Sequence, residues 1–229
     1  MLDMDLQLQH RIALVVGGHG LIGSAVVDRL REEGATVVVA SRHPKDDGVE
    51  LDGRDSGSVQ RAIDSVIATH GRIDVLVVSA APSAQTLDPA RNSDPGQVAD
   101  AFDAKALVFL RIANAVAPHM RDAGFGRIVV VSGQNALITG SITGSVRNAA
   151  TILIAKNLAD SLAGTGVAVN AVNPGVVSER PESEVRPGVP GQSSPTQIAD
   201  LIAFLGSPVS AVSGESIAIG HRVRGTTLL

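Results

Sequence analysis

Arg11 to Gly23 reads RIALVVGGHGLIG: an apolar run with the character of a buried strand, then a loop holding Gly17, Gly18, Gly20 and Gly23. Glycines without Cβ let a backbone come close to a pyrophosphate, and the N–H groups that open a following helix supply donors and a partial positive charge. The loop fits G-x-G-x-x-G at Gly18, Gly20 and Gly23, and G-x-x-G-x-x-G at Gly17, Gly20 and Gly23. Either pattern alone is weak, and a strand-to-helix turn without a ligand would also use glycines. Context favours a phosphate cradle: the loop leaves a strand, opens a helix over Leu21 to Arg31, and is followed by a second strand, Thr36 to Ala40.

Working outward, continuous β-branched runs alternate with helical spacing. Further strands are expected at Val49 to Leu51, Ile73 to Val78, Arg127 to Val131, Val167 to Val172 and Ser216 to Ile219. Helices are expected at Ser56 to Thr69, Asp94 to Met120, about Thr143 to Ala163, and Gln197 to Leu205; Asn173 to Pro195 is rich in Pro, Gly and Ser. Apolar runs without alternation suit strands covered on both faces. The pattern predicts an α/β chain, a Rossmann-type doubly wound parallel sheet of seven strands flanked by helices on both faces, in one domain over residues 1–229.

Composition narrows the function classes. The net charge is −4, with no basic patch interleaved with aromatics, so neither nucleic acid nor an anionic membrane is an expected partner. Cysteine is absent, which removes disulfides and thiol chemistry, and no histidine pair has metal-ligand spacing, so no metal is expected. MLDMDLQLQH lacks the apolar core of a signal peptide, and no run reaches the roughly eighteen apolar residues of a membrane span. A cytoplasmic protein is the expectation. There is also no Tyr and no Trp, and only four Phe.

The segments VVGGHGLIG, LDGRD, DVLVVSAAP, GRIVVVSG, VAVNAVNPGVV and SGESIAIG, in this order, resemble the short-chain dehydrogenase/reductase family along nearly the whole chain. The resemblance implies a nicotinamide dinucleotide held by Gly17, His19, Gly20, Leu21, Ile22 and Gly23, with Asp52 and Gly53 at the adenine. It further places Ser79, Ala80 and Ala81 near the ribose, and Pro174, Gly175 and Val177 against the nicotinamide. Judged singly, Asp52 also reads as a turn cap, Pro174-Gly175 as an ordinary turn, and His19 as a helix cap. Where an acid would hold the ribose 2′-hydroxyl of NAD, about twenty residues past the loop, the strand ends in Ser41 and Arg42. A guanidinium and a hydroxyl there suit a 2′-phosphate, which predicts NADP(H) over NAD(H); the other reading of Arg42 is a solvated surface charge.

The departures concern the chemistry. Leu21 stands where members of the family usually have a glycine. Counting back from IAKNLADSLA, the family's Tyr-x-x-x-Lys pair falls at Gly144 and Asn148; its serine falls at Gly133, one after Ser132, and its helix asparagine at Lys105. The tyrosine loss needs no alignment, since the chain has none. A positioned acid or base contributes about 10²–10⁴-fold, so its absence costs roughly 3–5 kcal/mol of barrier unless another group replaces it. Lys105 is the candidate replacement, with Asn148 for the lysine's ribose contacts and Ser132 as a nearby hydroxyl. The alternatives are an exposed Lys105 paired with Asp100 or Asp103, and Asn148 as a surface amide.

Three classes follow: an atypical NADP(H)-dependent oxidoreductase acting on a small carbonyl or alcohol compound, a non-redox cyclase, lyase or isomerase on the same scaffold, and a catalytically inactive cofactor-binding or regulatory protein. The resemblance also implies a homodimer or homotetramer through the long helices, and Ile152, Leu153, Ile154 and Leu158 offer more apolar surface than one core-facing stripe needs.

Overall fold

A computed structural model describes residues 4–45, 47–82, 86–184 and 186–223. The chain order is β1 (Ile12–Val16), α1 (Leu21–Glu32), β2 (Thr36–Ser41), β3 (Val49–Glu50), α2 (Ser56–His70), β4 (Val75–Val78) and α3 (Pro95–Phe102). A π-helical turn (Asp103–Leu107) leads into α4 (Val108–Asp122), followed by β5 (Gly126–Val131), α5 (Ile142–Ser161), β6 (Val167–Pro174), β7 (Val176–Val177), β8 (Gln192–Ser193), α6 (Pro195–Gly206) and β9 (Ser216–Ile219). Seven strands form one parallel sheet in the order β3-β2-β1-β4-β5-β6-β9.

The alternation of side chains along each strand divides the core in two. Ile12, Leu14 and Val16 of β1, with Leu76, Val78, Ile128 and Val130, face α2, α4 and α5. Ala13 and Val15, with Val75, Val77, Val129 and Val131, face α1 and α6. With no Tyr or Trp the filling is aliphatic, and Phe109 is the largest wholly buried side chain. Each such buried side chain contributes about 1.5–3 kcal/mol.

Strand order reverses between β1 and β4, so the loops leaving these strands part to opposite faces and open a crevice at their carboxyl ends. Two features depart from the sequence pattern. The single helix expected from Asp94 to Met120 is two α-helices joined by the π turn, where the Val108 N–H reaches back to the Asp103 carbonyl. The stretch expected to be irregular holds the short parallel pair β7–β8, two residues each, below the length at which a period is readable.

Candidate active site

The glycine loop is built from two kinds of glycine. Gly17 sits at φ +87°, where only glycine is at ease, and a Cβ there would lie 2.7 Å from the Ala80 nitrogen. A Cβ on Gly23 would lie 2.1 Å from the Gly17 carbonyl oxygen. Both are required by the packing of the loop on itself and on the end of β4. Gly20 is different: a Cβ would meet only that same carbonyl oxygen, at an ordinary 3.4 Å, and the residue is exposed and lines the crevice. Its missing side chain serves whatever approaches from outside.

Gly20 is also the N-cap of α1. α2, α3, α5 and α6 begin under a side chain of Asp55, Asp94, Ser141 and Ser194, which accepts from an N–H of the first turn. α1 has no side-chain cap and no acid in its first turn, so the N–H groups of this turn face outward with their dipole uncompensated. His19 is exposed and caps nothing, Leu21 is exposed, and Ile22 is half-buried.

The crevice is a cavity of about 630 Å³. Gly17 and Gly20 form one wall, Ser41, Arg42, Asp52 and Gly53 the next, and Ser79, Ala80 and Ala81 the floor at the end of β4. The Ser41 hydroxyl oxygen is buried without a hydrogen-bond partner, and the exposed Arg42 makes no ion pair among the described residues. Asp52 both lines the cavity and accepts the Arg54 N–H at 3.0 Å, so the turn-cap role and the cleft position coexist. Gly53 is held by packing, since a Cβ would come within 2.5 Å of Val108. Ser79 spends its hydroxyl on the Val16 and Gly17 carbonyls, 3.2 and 3.3 Å away, and so staples the glycine loop to β4.

Pro174, Gly175 and Val177 lie at the carboxyl end of β6 and in β7, outside the wall of this cavity. Gly175 is glycine because Gly191 crosses it closely: a Cβ would be 2.2 Å from the Gly191 carbonyl oxygen.

Beside the cleft, the three candidate catalytic residues come together in a hydrogen-bonded chain. The Lys105 Nζ, on the π turn, donates to the Ser132 carbonyl at 2.9 Å, and the Ser132 hydroxyl donates to the Asn148 carbonyl at 3.0 Å. Lys105 is buried, not an exposed partner of Asp100 or Asp103; Asp100 pairs with Arg54, and Asp103 with Arg111. Burial, reinforced by the charge of Arg147, pulls the Lys105 ammonium down to about 7. Asn148 is buried, not a surface amide, and its Oδ1 has no partner. Lys105 does not itself line the cavity, although Ala104 and Val108 on either side of it do.

Where the family's serine and tyrosine would fall, at positions 133 and 144, the space beside the backbone is partly filled. A Cβ on Gly133 would come within 3.2 Å of the Asn148 amide nitrogen, and one on Gly144 within 2.9 Å of the Ser141 hydroxyl that caps α5.

Sequence reasoning missed Arg147. It is buried at 5% exposure; its Nη1 donates to the Pro82 carbonyl at 3.1 Å, and its Nε has no partner. The spacing was present: Thr143, Arg147, Thr151, Ala155 and Ala159 fall at four-residue spacing and are all buried, so a charged residue stands in the core-facing row of α5.

A family model described as short chain dehydrogenase matches residues 11–188. The (2S)-[(R)-hydroxy(phenyl)methyl]succinyl-CoA dehydrogenase subunit BbsC of Thauera aromatica is 30% identical over 242 aligned positions, covering 91% of this chain and 92% of that protein. The 3-oxoacyl-[acyl-carrier-protein] reductase MabA of Mycobacterium tuberculosis is 28% identical, covering 91% of each. Among solved structures, the ligand-free aldohexose dehydrogenase of Thermoplasma acidophilum superposes with a TM-score of 0.82 over 99% of this chain and 98% of that one; at 21% identity it speaks to the fold. The match over most of the chain, the sheet order and the glycine loop at its switch point converge: the chain belongs to the short-chain dehydrogenase family, whose members bind a nicotinamide cofactor.

Proposed function

We propose that this chain binds NADP(H) along the crevice and oxidises or reduces a small carbonyl or alcohol compound, with Lys105 in place of the missing tyrosine as the group that holds the proton. The observation that carries the cofactor reading is the uncapped N-terminus of α1 beside Gly20, whose missing side chain the protein's own packing does not require. The unpartnered Ser41 hydroxyl beside Arg42, which makes no ion pair among the described residues, supports a 2′-phosphate. The bound cofactor would give or take hydride; the chain's residues orient it and manage the proton. An amine with a pKa of about 7 is matched to that task at neutral pH. Ser132 positions this amine through its carbonyl, and Asn148 has a free Oδ1 to offer a hydroxyl.

Fluorescence titration with NADPH and NADH, followed by turnover on a panel of small carbonyl compounds, tests the reading. NADPH should bind at least about tenfold tighter, since a charge-assisted hydrogen bond is worth about 1.5–3 kcal/mol and tenfold is about 1.4. Equal or tighter NADH binding overturns the cofactor choice. A second reading, a non-redox enzyme or a protein that binds the cofactor without turnover, draws on the partial filling of positions 133 and 144; binding without turnover on any carbonyl would favour it.

The protein is proposed to assemble as a dimer or tetramer. Ile142, Val146 and Leu153 on α5 are 50%, 40% and 63% exposed, while Ile152, Ile154 and Leu158 pack partly against the core. Light scattering should exceed the 23.4 kDa of one chain at micromolar concentration, and a monomer would contradict the assembly.

A further inference from the structure

Lys105 and Arg147 stand within electrostatic reach of each other, both more than nine-tenths buried, and neither has an acidic partner among the described residues. The nearby acids are committed elsewhere: Asp94 to Arg91, Asp100 to Arg54, and Asp103 to Arg111. A buried cation without a counter-ion is costly, and two together more so, unless something negative joins them.

There is room for it. A second cavity, of about 320 Å³, is lined by Arg147 together with Pro82, Thr86, Leu87 and Ala101, and on its polar side by Gln97, Arg91 and Asp100, the last two already paired with Asp94 and Arg54. It shares Pro82 and Thr86 with the cofactor crevice, so the two spaces adjoin. The Arg147 guanidinium has one arm, Nη1, fixed on the Pro82 carbonyl; Nε has no partner, and Nη2 makes no hydrogen bond among the described residues. The Nε–Nη2 edge of a guanidinium is a planar two-donor fork matched to a carboxylate.

We propose that this second cavity is a subsite for the carboxylate of the substrate, read by the Nε–Nη2 edge of Arg147, so that the compound acted on is a small carboxylic acid bearing its carbonyl or hydroxyl away from the acid group. The apolar walls at Leu87, Ala101 and Pro82 would cover a short carbon skeleton. As a statement about substrate class this rests on the proposed oxidoreductase function, whereas carboxylate binding itself does not require turnover.

The test uses benzoate and its neutral isostere benzamide, with inorganic phosphate as a second anion, each titrated calorimetrically into the full chain with and without NADP+. Benzoate should bind at least tenfold tighter than benzamide and tighter than phosphate. Arg147→Met, which keeps an unbranched apolar stem and removes the guanidinium, should erase the difference between benzoate and benzamide. Equal binding of benzoate and benzamide by the unaltered protein overturns the proposal without any variant. So does a difference that survives in Arg147→Met, and so does phosphate binding as tightly as benzoate. Benzoate discrimination in a protein that does not bind NADP+ would remove the oxidoreductase reading and leave the subsite standing, while NADP+ binding without discrimination would do the reverse.

Discussion

The carboxyl edge of the sheet has two halves, and they are organised on different terms. Around β1, β2 and β4, geometry forces most of the glycines: Gly17, Gly23 and Gly53 are glycine because neighbouring atoms leave no room for more, and Gly20 alone of the loop's crevice-facing glycines is not required by the protein's own packing. Around β5, α5 and the π turn, the glycines at 133 and 144 sit where a side chain would press on Asn148 or Ser141, and Lys105 and Arg147 are buried without counter-ions among the described residues. The first half is a tight mould for a dinucleotide; the second is a charged recess. The contrast teaches that the crevice beside the glycine loop and the buried Lys105–Ser132–Asn148 chain are separate parts of one carboxyl edge, built on different elements.

The largest expected effect comes from attacking the mould itself. Gly23→Ala puts a methyl group 2.1 Å from a backbone oxygen that cannot swing aside. Overpacking of this kind costs about 1–3 kcal/mol, which at this chain length lowers the melting temperature by roughly 2–12 °C. Calorimetry should show that drop, together with loss of NADPH binding.

Lys105→Met probes the other half. The lysine's lowered pKa means that the unfolded chain holds this proton more tightly than the folded one between about pH 7 and the ordinary lysine range. The cost of the buried charge is therefore full below about pH 7 and is relieved as the pH rises. Lys105→Met should accordingly be more stable than the unaltered protein at pH 6, by an amount on the order of several kcal/mol, and the gap should close toward pH 10. Its turnover should fall at least about tenfold while cofactor affinity holds. Denaturant melts at pH 6 and 10 decide the first claim, and a gap independent of pH would sink it.

Gly20→Ala sharpens the comparison by leaving the fold intact. Its backbone, at φ −79°, suits alanine, and the added methyl clashes with nothing in the protein. The melting temperature should move by no more than about 3 °C, since an alanine N-cap costs roughly half a kcal/mol here, while NADPH affinity falls about tenfold by dye-free titration. Parallel losses in both would show that Gly20 serves the loop like its neighbours.

The smallest expected change is in cofactor choice. Arg42→Ala should weaken NADPH about tenfold and leave NADH within about twofold, because the lost contact is to the 2′-phosphate alone. Equal weakening of both would assign Arg42 a general electrostatic role.

Most of the fold was legible because its signals are local. Apolar runs such as VLVV at Val75–Val78, buried at every position, suit a strand covered on both faces, and four glycines between strand and helix mark a close approach. What escaped was set by distant neighbours. The π turn leaves no trace in composition, because DAKAL is ordinary helical sequence. The partner of Lys105 is a carbonyl 27 residues away, and carbonyls carry no signature in a side-chain pattern. The closeness of Gly175 to Gly191 likewise depends on where a later loop crosses. Arg147 lies in the buried row of α5 with Thr143, Thr151, Ala155 and Ala159, but α5 is apolar on several faces, so the sequence does not say which row faces the core.

The π turn at Asp103–Leu107 carries a consequence in the winding of the helix that contains it. A π turn accommodates one residue more than the α-turn it replaces, and in an α-helix each residue advances the side chains by 100°. Deleting Ala104 would return the segment to uniform winding, and the buried core of α4, with Phe109, Ile112 and Val116 seated against the sheet, would hold its own phase. The rotation would then fall on α3, turning Gln97 and Ala101 away from the second cavity, while Ala101 gave up its buried place. One residue of chain length thus sets the angular offset between the helix face that walls the substrate recess and the face that packs the core.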